Sequence, residues 1–242
     1  MLLRLIRCEL MKWRRSPVWL AFLFLPILPA LLGTLNYMGN LEILQDTWYS
    51  LWTQHTLFSC YFFLPVLVGI YSSYLMHLEV EHNNWNKYLS LPISKGEIFL
   101  AKFFATLLMI FFCELWICTL FVISGKIIGL IDPIPWQKLL IWCSFGTLGG
   151  GVMASIQLLL SLFFQSFALP VGIALWGGLS GLLFLAKGFG HLWPYALMAY
   201  GMNSNAPQEL SHSGYGAFIL TCVIYILLFT VLGSFILKRK EP

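Results

Sequence analysis

Six long apolar runs alternate with shorter polar segments along the chain. They cover roughly Val18–Tyr37, Thr56–His77, Phe103–Ile123, Leu139–Phe164, Ala168–Ala186 and Ala217–Leu237. At about 20 residues each, they are long enough for a helix to cross a hydrocarbon core of about 30 Å. A soluble helix would place a charged or polar residue on its wet face every turn or so. Here Glu114 is the one charged residue well inside a run. In lipid every backbone donor and acceptor must be satisfied within the segment, so each run should be a helix. The pattern predicts an all-α membrane protein with six transmembrane helices, forming a single domain over residues 1–242.

The segments between the runs have patterns of their own. Residues 1–16 read as an amphipathic interfacial helix, with Leu2, Ile6, Leu10 and Trp13 on one face and Arg4, Arg7, Lys12, Arg14 and Arg15 around it. Glu9 intrudes near the apolar stripe. Either it pairs with Lys12 one turn on, or it contacts another subunit. Pro17 opens the first run where its missing N–H costs nothing, and Pro26 and Pro29 should bend that run. In residues 78–102, His82, Trp85, Tyr88 and Leu89 recur at helical spacing before a turn at Leu91-Pro92. Ser94 and Glu97 then form a capping-box pattern that starts the third helix. Aromatic residues exposed on such a connecting segment mark a docking surface.

Only residues 165–167 separate the fourth and fifth runs, which predicts a tight hairpin. Both runs contain G-x-x-x-G, at Gly146 and Gly150 and at Gly177 and Gly181, a pattern that lets helices approach closely. Residues 187–216 begin apolar and aromatic, through Trp193, Tyr195, Met198 and Tyr200, and turn polar from Asn203 to Glu209. This mixture predicts an outer, partly re-entrant segment, since Trp and Tyr favour the membrane interface. Trp193, Tyr195 and Glu209 are its candidates for contact with a substrate in the outer leaflet.

Charge placement gives the expected orientation. Lys and Arg cluster before the first run, between the second and third, and after the last, so both termini and residues 78–102 should be cytoplasmic. The N-terminal run lacks a small-residue cleavage site after Tyr37 and is expected to stay as a span. There is no Asn-x-Ser/Thr acceptor, which favours a bacterial plasma membrane. Hydrophobic residues make up 59% of the chain and charged ones 10%, against about 25% charged in soluble domains. The net charge of +4 is too small and scattered to call for nucleic acid. Membrane lipid is the expected surroundings.

Catalytic and metal-binding patterns are absent. Ser124-Gly125-Lys126 lacks the upstream Gly and the following Ser/Thr of a phosphate-binding loop. His77 and His82, spaced i,i+5, match no zinc-protease motif, and no C-x-x-C occurs. The six cysteines read as small packing residues. No Gly-x-Ser-x-Gly elbow exists. Glu114 is the one intramembrane acid, with Gln157 as a candidate partner. It is either a neutral helix–helix hydrogen bond or a group in a transport pathway. A membrane enzyme would need a larger polar constellation. A secondary transporter would show repeated halves with broken spans, and no convincing repeat is present.

Three features resemble the permease subunits of type-2 ABC exporters. The first is the basic amphipathic start, Glu9-Leu-Met-Lys12-Trp13-Arg-Arg15-Ser16. The second is the stretch from Glu79 to Lys102, with Glu81, Trp85, Leu91-Pro92-Ile93-Ser94 and Ala101-Lys102. The third is the six-span layout with a large outer segment before the last span. The length and Leu192-Trp193-Pro194-Tyr195 are similar to the bacteriocin (lantibiotic) immunity permeases. The resemblance implies a second permease, identical or a sister subunit, and two copies of an ABC ATPase that bind ATP and Mg, with no cofactor on this chain. It further implies that Glu79, Glu81, Trp85, Tyr88, Pro92 and Lys102 couple to that ATPase, beside an interfacial helix bearing Glu9, Lys12, Trp13 and Arg15. The subfamily implies expulsion of an antimicrobial peptide.

Overall fold

A computed structural model describes residues 1–45, 47–81, 93–164, 166–204 and 212–239. Among the described residues the chain is helical and contains no strand. Six helical stretches are long and apolar enough to cross a membrane: Val18–Gly39, Trp48–Val80, Lys95–Ile127, Trp136–Phe163, Ala168–Ala186 and Gly214–Arg239. They are called the first to sixth spans. Because the spans alternate in direction, the N-terminal helix Leu2–Arg14, the end of the second span, the start of the third and the end of the sixth share one end of the bundle, here the terminal end. Lys95 Nζ donates to the carbonyl of Lys238 there.

Each span begins or breaks for a local chemical reason. Ser16 Oγ accepts from the Val18 N–H, and Pro17 follows it at the start of the first span. That span breaks into Val18–Phe24 and Ile27–Gly39 at Pro26. Pro29 adds no second break, because it falls in the first turn of the second piece, where no N–H is needed. The third span starts at the expected capping box: Ser94 Oγ accepts from the Glu97 N–H at 3.2 Å, and Glu97 reaches back to the Ser94 N–H.

The second span starts eight residues before its apolar run, at Trp48, capped by Thr47. Its first turns carry Thr53, Gln54 and His55, which look like loop residues in sequence. All three are buried. Two of them meet the first span: Asn36 Nδ2 donates to Gln54 Oε1 at 2.6 Å, and Thr34 Oγ1 lies 3.0 Å from His55 Nε2, while Thr53 Oγ1 donates to the Ser50 carbonyl of its own helix. Gly33 permits this approach, because a Cβ there would sit 2.8 Å from the His55 backbone. Further along, Ser59–Phe63 widens into a π-helical turn. Pro65 accounts for it, since its ring displaces the carbonyl four residues back, at Tyr61. Gly178 of the fifth span packs on that site, with its Cβ position 2.6 Å from both the Tyr61 carbonyl and the Pro65 ring.

The second and fourth spans form the centre: 67% of each is buried, against 17% of the sixth and 28% of the first and fifth. The outer spans therefore present apolar faces to lipid. Between the fifth and sixth spans the chain folds back into the bundle through the short helix Leu197–Gly201. Residues Ala196 to Ala199, Met202 and Ser204 are fully buried. Gly146, Gly149, Gly177 and Gly181 receive this segment instead of pairing the fourth and fifth spans with each other, while Gly150 admits Ile110 of the third span. A Cβ at Gly149 would meet the Leu197 carbonyl at 2.6 Å, one at Gly146 would strike Met202, and one at Gly177 would strike the Tyr195 ring. Trp52 Nε1 donates to the Met202 carbonyl at 2.8 Å and closes the end of the segment. Lipid offers no hydrophobic drive for helix association, so this backbone-close packing carries the stability.

Gly149→Leu should therefore destabilise the protein by about 1–3 kcal/mol through overpacking. It should also expose a cysteine placed at Leu197, in a background without native cysteines, to a water-soluble maleimide. Gly172→Ala, whose Cβ would meet nothing within 4 Å, should leave both readings unchanged or raise stability slightly.

Candidate functional site

The terminal end brings two buried acids and two lysines together through a set of ion pairs. The N-terminal helix turns Leu5, Glu9 and Trp13 inward against the third span, so its buried stripe runs through Glu9. Lys102 Nζ, fully buried, donates to Glu9 Oε2 at 3.0 Å, to Glu79 Oε1 at 2.8 Å and to the Leu75 carbonyl at 2.9 Å. Lys12 Nζ donates to Glu9 Oε1 at 2.8 Å and also to Glu79 Oε1. Glu9 and Glu79 are 0% and 2% exposed, while the Lys12 side chain is 23% exposed. Trp13 packs on Tyr71 of the second span, with ring centroids 5.3 Å apart.

Two charges of each sign cancel, which is what makes their burial tolerable. Burial alone would push the Lys12 ammonium down. The carboxylates of Glu9 and Glu79 outweigh it and hold Lys12 well above the usual lysine range. Its contribution to stability is then complete below the ordinary lysine value and is lost only as pH rises through the raised one.

The set joins three pieces of chain: the N-terminal helix, the end of the second span and the start of the third. The latter two flank residues 82–92. Of the coupling candidates, Glu79 and Lys102 thus meet directly, and they meet Glu9 and Lys12 of the interfacial helix. Glu9 does pair with Lys12, as one reading of the sequence had it, but its second oxygen holds Lys102 of the same chain. Arg15 is exposed just past the helix end. Trp85, Tyr88, Pro92, Glu209 and the side chain of Glu81 lie outside the described residues. Tyr71 and the Leu75 carbonyl were missed, because an apolar run gives no sign of which of its residues meets a charge.

A second polar site lies deeper. Glu114 is fully buried between the third and fourth spans. Its partner is not Gln157, as expected from sequence, but Thr147, whose Oγ1 lies 2.7 Å from Glu114 Oε2 and 2.8 Å from the Cys143 carbonyl. Gln157 sits about 15 Å further along the fourth span. A threonine hydroxyl has a single proton. Both contacts are satisfied at once when Glu114 brings a proton of its own to Thr147. Gly146 leaves room beside it, since a Cβ there would lie 2.8 Å from Glu114 Oε1.

Gln157 Nε2 instead donates to Tyr195 Oη at 2.7 Å. The expectation that Tyr195 faces an outer substrate is therefore corrected. It is 7% exposed, held by Gln157 and by the slot at Gly177, and burial pushes its phenol up to about 12. Met198 is buried as well. Trp193 is half-buried and anchored, stacked on Phe184 at 4.4 Å with its Nε1 3.1 Å from Ser180 Oγ.

Replacing Lys102 by Met leaves Glu9 and Glu79 with one cation and should cost about 3–5 kcal/mol. Adding Glu9→Gln restores neutrality and should recover about 0.5–3 kcal/mol of that loss. Thermal unfolding of the purified protein in detergent, followed by tryptophan fluorescence, would show both effects. Glu114→Gln should be nearly silent in expression and transport, while Glu114→Leu, which removes the side-chain hydrogen bond between the third and fourth spans, should reduce expression.

Residues 5–181 match the model of the family described as ABC-2 family transporter protein. The matched stretch runs from the N-terminal helix into the fifth span and contains both the four-charge cluster and Glu114. No protein with a curated description matches the chain. With a match over well more than half its length and six apolar spans, the chain belongs to the ABC-2 transporter family, as a multi-pass, membrane-spanning subunit of an ABC exporter in the bacterial plasma membrane.

Proposed function

We propose that the four-charge cluster is the mechanical link through which a partner ATPase drives this permease. The family works with an ABC ATPase, and hydrolysis belongs to that partner. In our reading the terminal end faces the cytoplasm, in keeping with its Lys and Arg residues. The segment 82–92 docks on the ATPase, two copies of which serve two permeases. Closure of the ATPase dimer pulls on that segment. Glu79 and Lys102, at its two borders, pass the displacement to Glu9 and Lys12, so the N-terminal helix and the second and third spans move together. The observation that supports this is the direct ion pairing of Lys102 with both Glu79 and Glu9.

For the substrate we propose an antimicrobial peptide, on the resemblance of Leu192-Trp193-Pro194-Tyr195 and the length to immunity permeases. Cells with the permease and its ATPase should then survive a higher dose of the cognate peptide and release it to the medium. Burial of Tyr195 and Met198 removes part of the outer aromatic surface that such a peptide would meet. That favours, as a second reading, an exporter of a smaller hydrophobic molecule. Equal killing with and without the complex, together with export of a lipid or drug, would select it.

Trp85→Ala or Tyr88→Ala should leave the permease in the membrane but lower ATPase recovery on co-purification. Truncating a central interface aromatic commonly costs 2 kcal/mol or more, about a thirty-fold loss of affinity. Normal recovery in both variants would place the docking surface elsewhere.

A further inference from the structure

The N-terminal helix, the first span and the third span enclose a groove of about 580 Å³. Its walls are apolar: Trp19, Phe22, Met109, Phe112 and Trp116 are among its lining residues. The first span breaks at Pro26, and Trp116 Nε1 reaches across to donate to the Leu23 carbonyl at 3.1 Å, which fixes the back wall. Trp19 and Phe112 stay about half exposed on the rim, at 48% and 50%. Along the third span the groove runs from Met109 to Thr119, about 15 Å of helix. That suits one extended acyl chain.

One part of the lining is charged. Arg14, in the last turn of the N-terminal helix, borders the groove. It forms no ion pair among the described residues, whereas the neighbouring Lys12 is consumed by Glu9 and Glu79. Arg15 stands exposed next to it. A free guanidinium at one end of an apolar slot is complementary to a phosphate ester carrying a long hydrocarbon chain. Arg matches phosphate oxygens through its planar fork, and its stem packs on the indole and phenyl walls.

We propose that this groove is a binding site for one anionic phospholipid. Its phosphate pairs with Arg14 and one acyl chain lies between Trp19, Phe22, Phe112 and Trp116. The lipid would wedge between the N-terminal helix and the kinked first span. It would lie beside the face on which Glu9 and Trp13 hold the helix to the bundle, with Leu10 and Trp13 themselves in its wall. A second copy of the chain is the other possible cover for this face, and the test separates the two.

The full chain, purified in detergent, is titrated with phosphatidylglycerol or phosphatidylcholine brominated in the acyl chains, and tryptophan quenching is read. Trp19→Phe and Trp116→Phe assign the quenched signal. The expected result is stronger quenching by phosphatidylglycerol, lost in large part in the two Phe variants. Arg14→Gln should weaken phosphatidylglycerol binding about five-fold, as one basic residue near an anionic headgroup contributes about that factor, and should weaken phosphatidylcholine less, because its choline cation already offsets the phosphate. Thr119→Phe, which fills the apolar end, should weaken both lipids. Equal quenching by the two lipids with no effect of Arg14→Gln would overturn the proposal and leave only ordinary lipid contact. Absent quenching together with self-crosslinking of a cysteine at Leu115 would overturn it in favour of an interface between copies.

Discussion

Everything at the terminal end depends on burying two carboxylates and two ammonium groups in one neutral set. Separately, each charge would cost several kcal/mol to remove from water. Together, Glu9, Lys12, Glu79 and Lys102 satisfy one another, and Lys102 finds a further acceptor at the Leu75 carbonyl. Charge neutrality forces co-location. None of the four can leave without stranding another, so the N-terminal helix cannot separate from the second and third spans at low cost. A hydrophobic contact of the same area would stabilise without that obligation, and would slide more readily.

The other end of the bundle is held by a different device. Instead of charge it uses close backbone approach: glycines on the fourth and fifth spans admit the re-entrant segment, and tryptophan and tyrosine donors tie its carbonyls. Glu114 lies between the two systems, next to Met202 of the segment and bonded to Thr147 of the fourth span. Ion pairs hold one end and glycine-slot packing the other, two kinds of interaction that differ in range and stiffness.

The six spans were legible because lipid permits so few alternatives: a run without charge has to be a helix. The fifth span has the limits its run implied, and the Ser94–Glu97 box starts the third. The early start of the second span was not legible, because Gln54 and His55 look like loop residues until Asn36 and Thr34 of the first span meet them. The charge cluster was half legible. Glu79 and Lys102 stood at the margins of runs, and Glu9 stood out of place on its helix. Their meeting depends on the antiparallel return of the third span, which no local pattern encodes. Tyr195 misled for the same reason: an interfacial aromatic and an aromatic buried in a glycine slot have the same sequence signature.

The central claim is that the N-terminal helix and the flanks of residues 82–92 move as one body. The direct measurement is the distance between a probe on the exposed Cys8 and one on a cysteine at Lys95, the other native cysteines being removed. Pulsed spin-label spectroscopy would follow it in the permease–ATPase complex with and without bound ATP. The account predicts one unchanged distance distribution in wild type, broadening when Glu9→Gln is introduced. A distribution that shifts on ATP binding in the wild-type complex would contradict it.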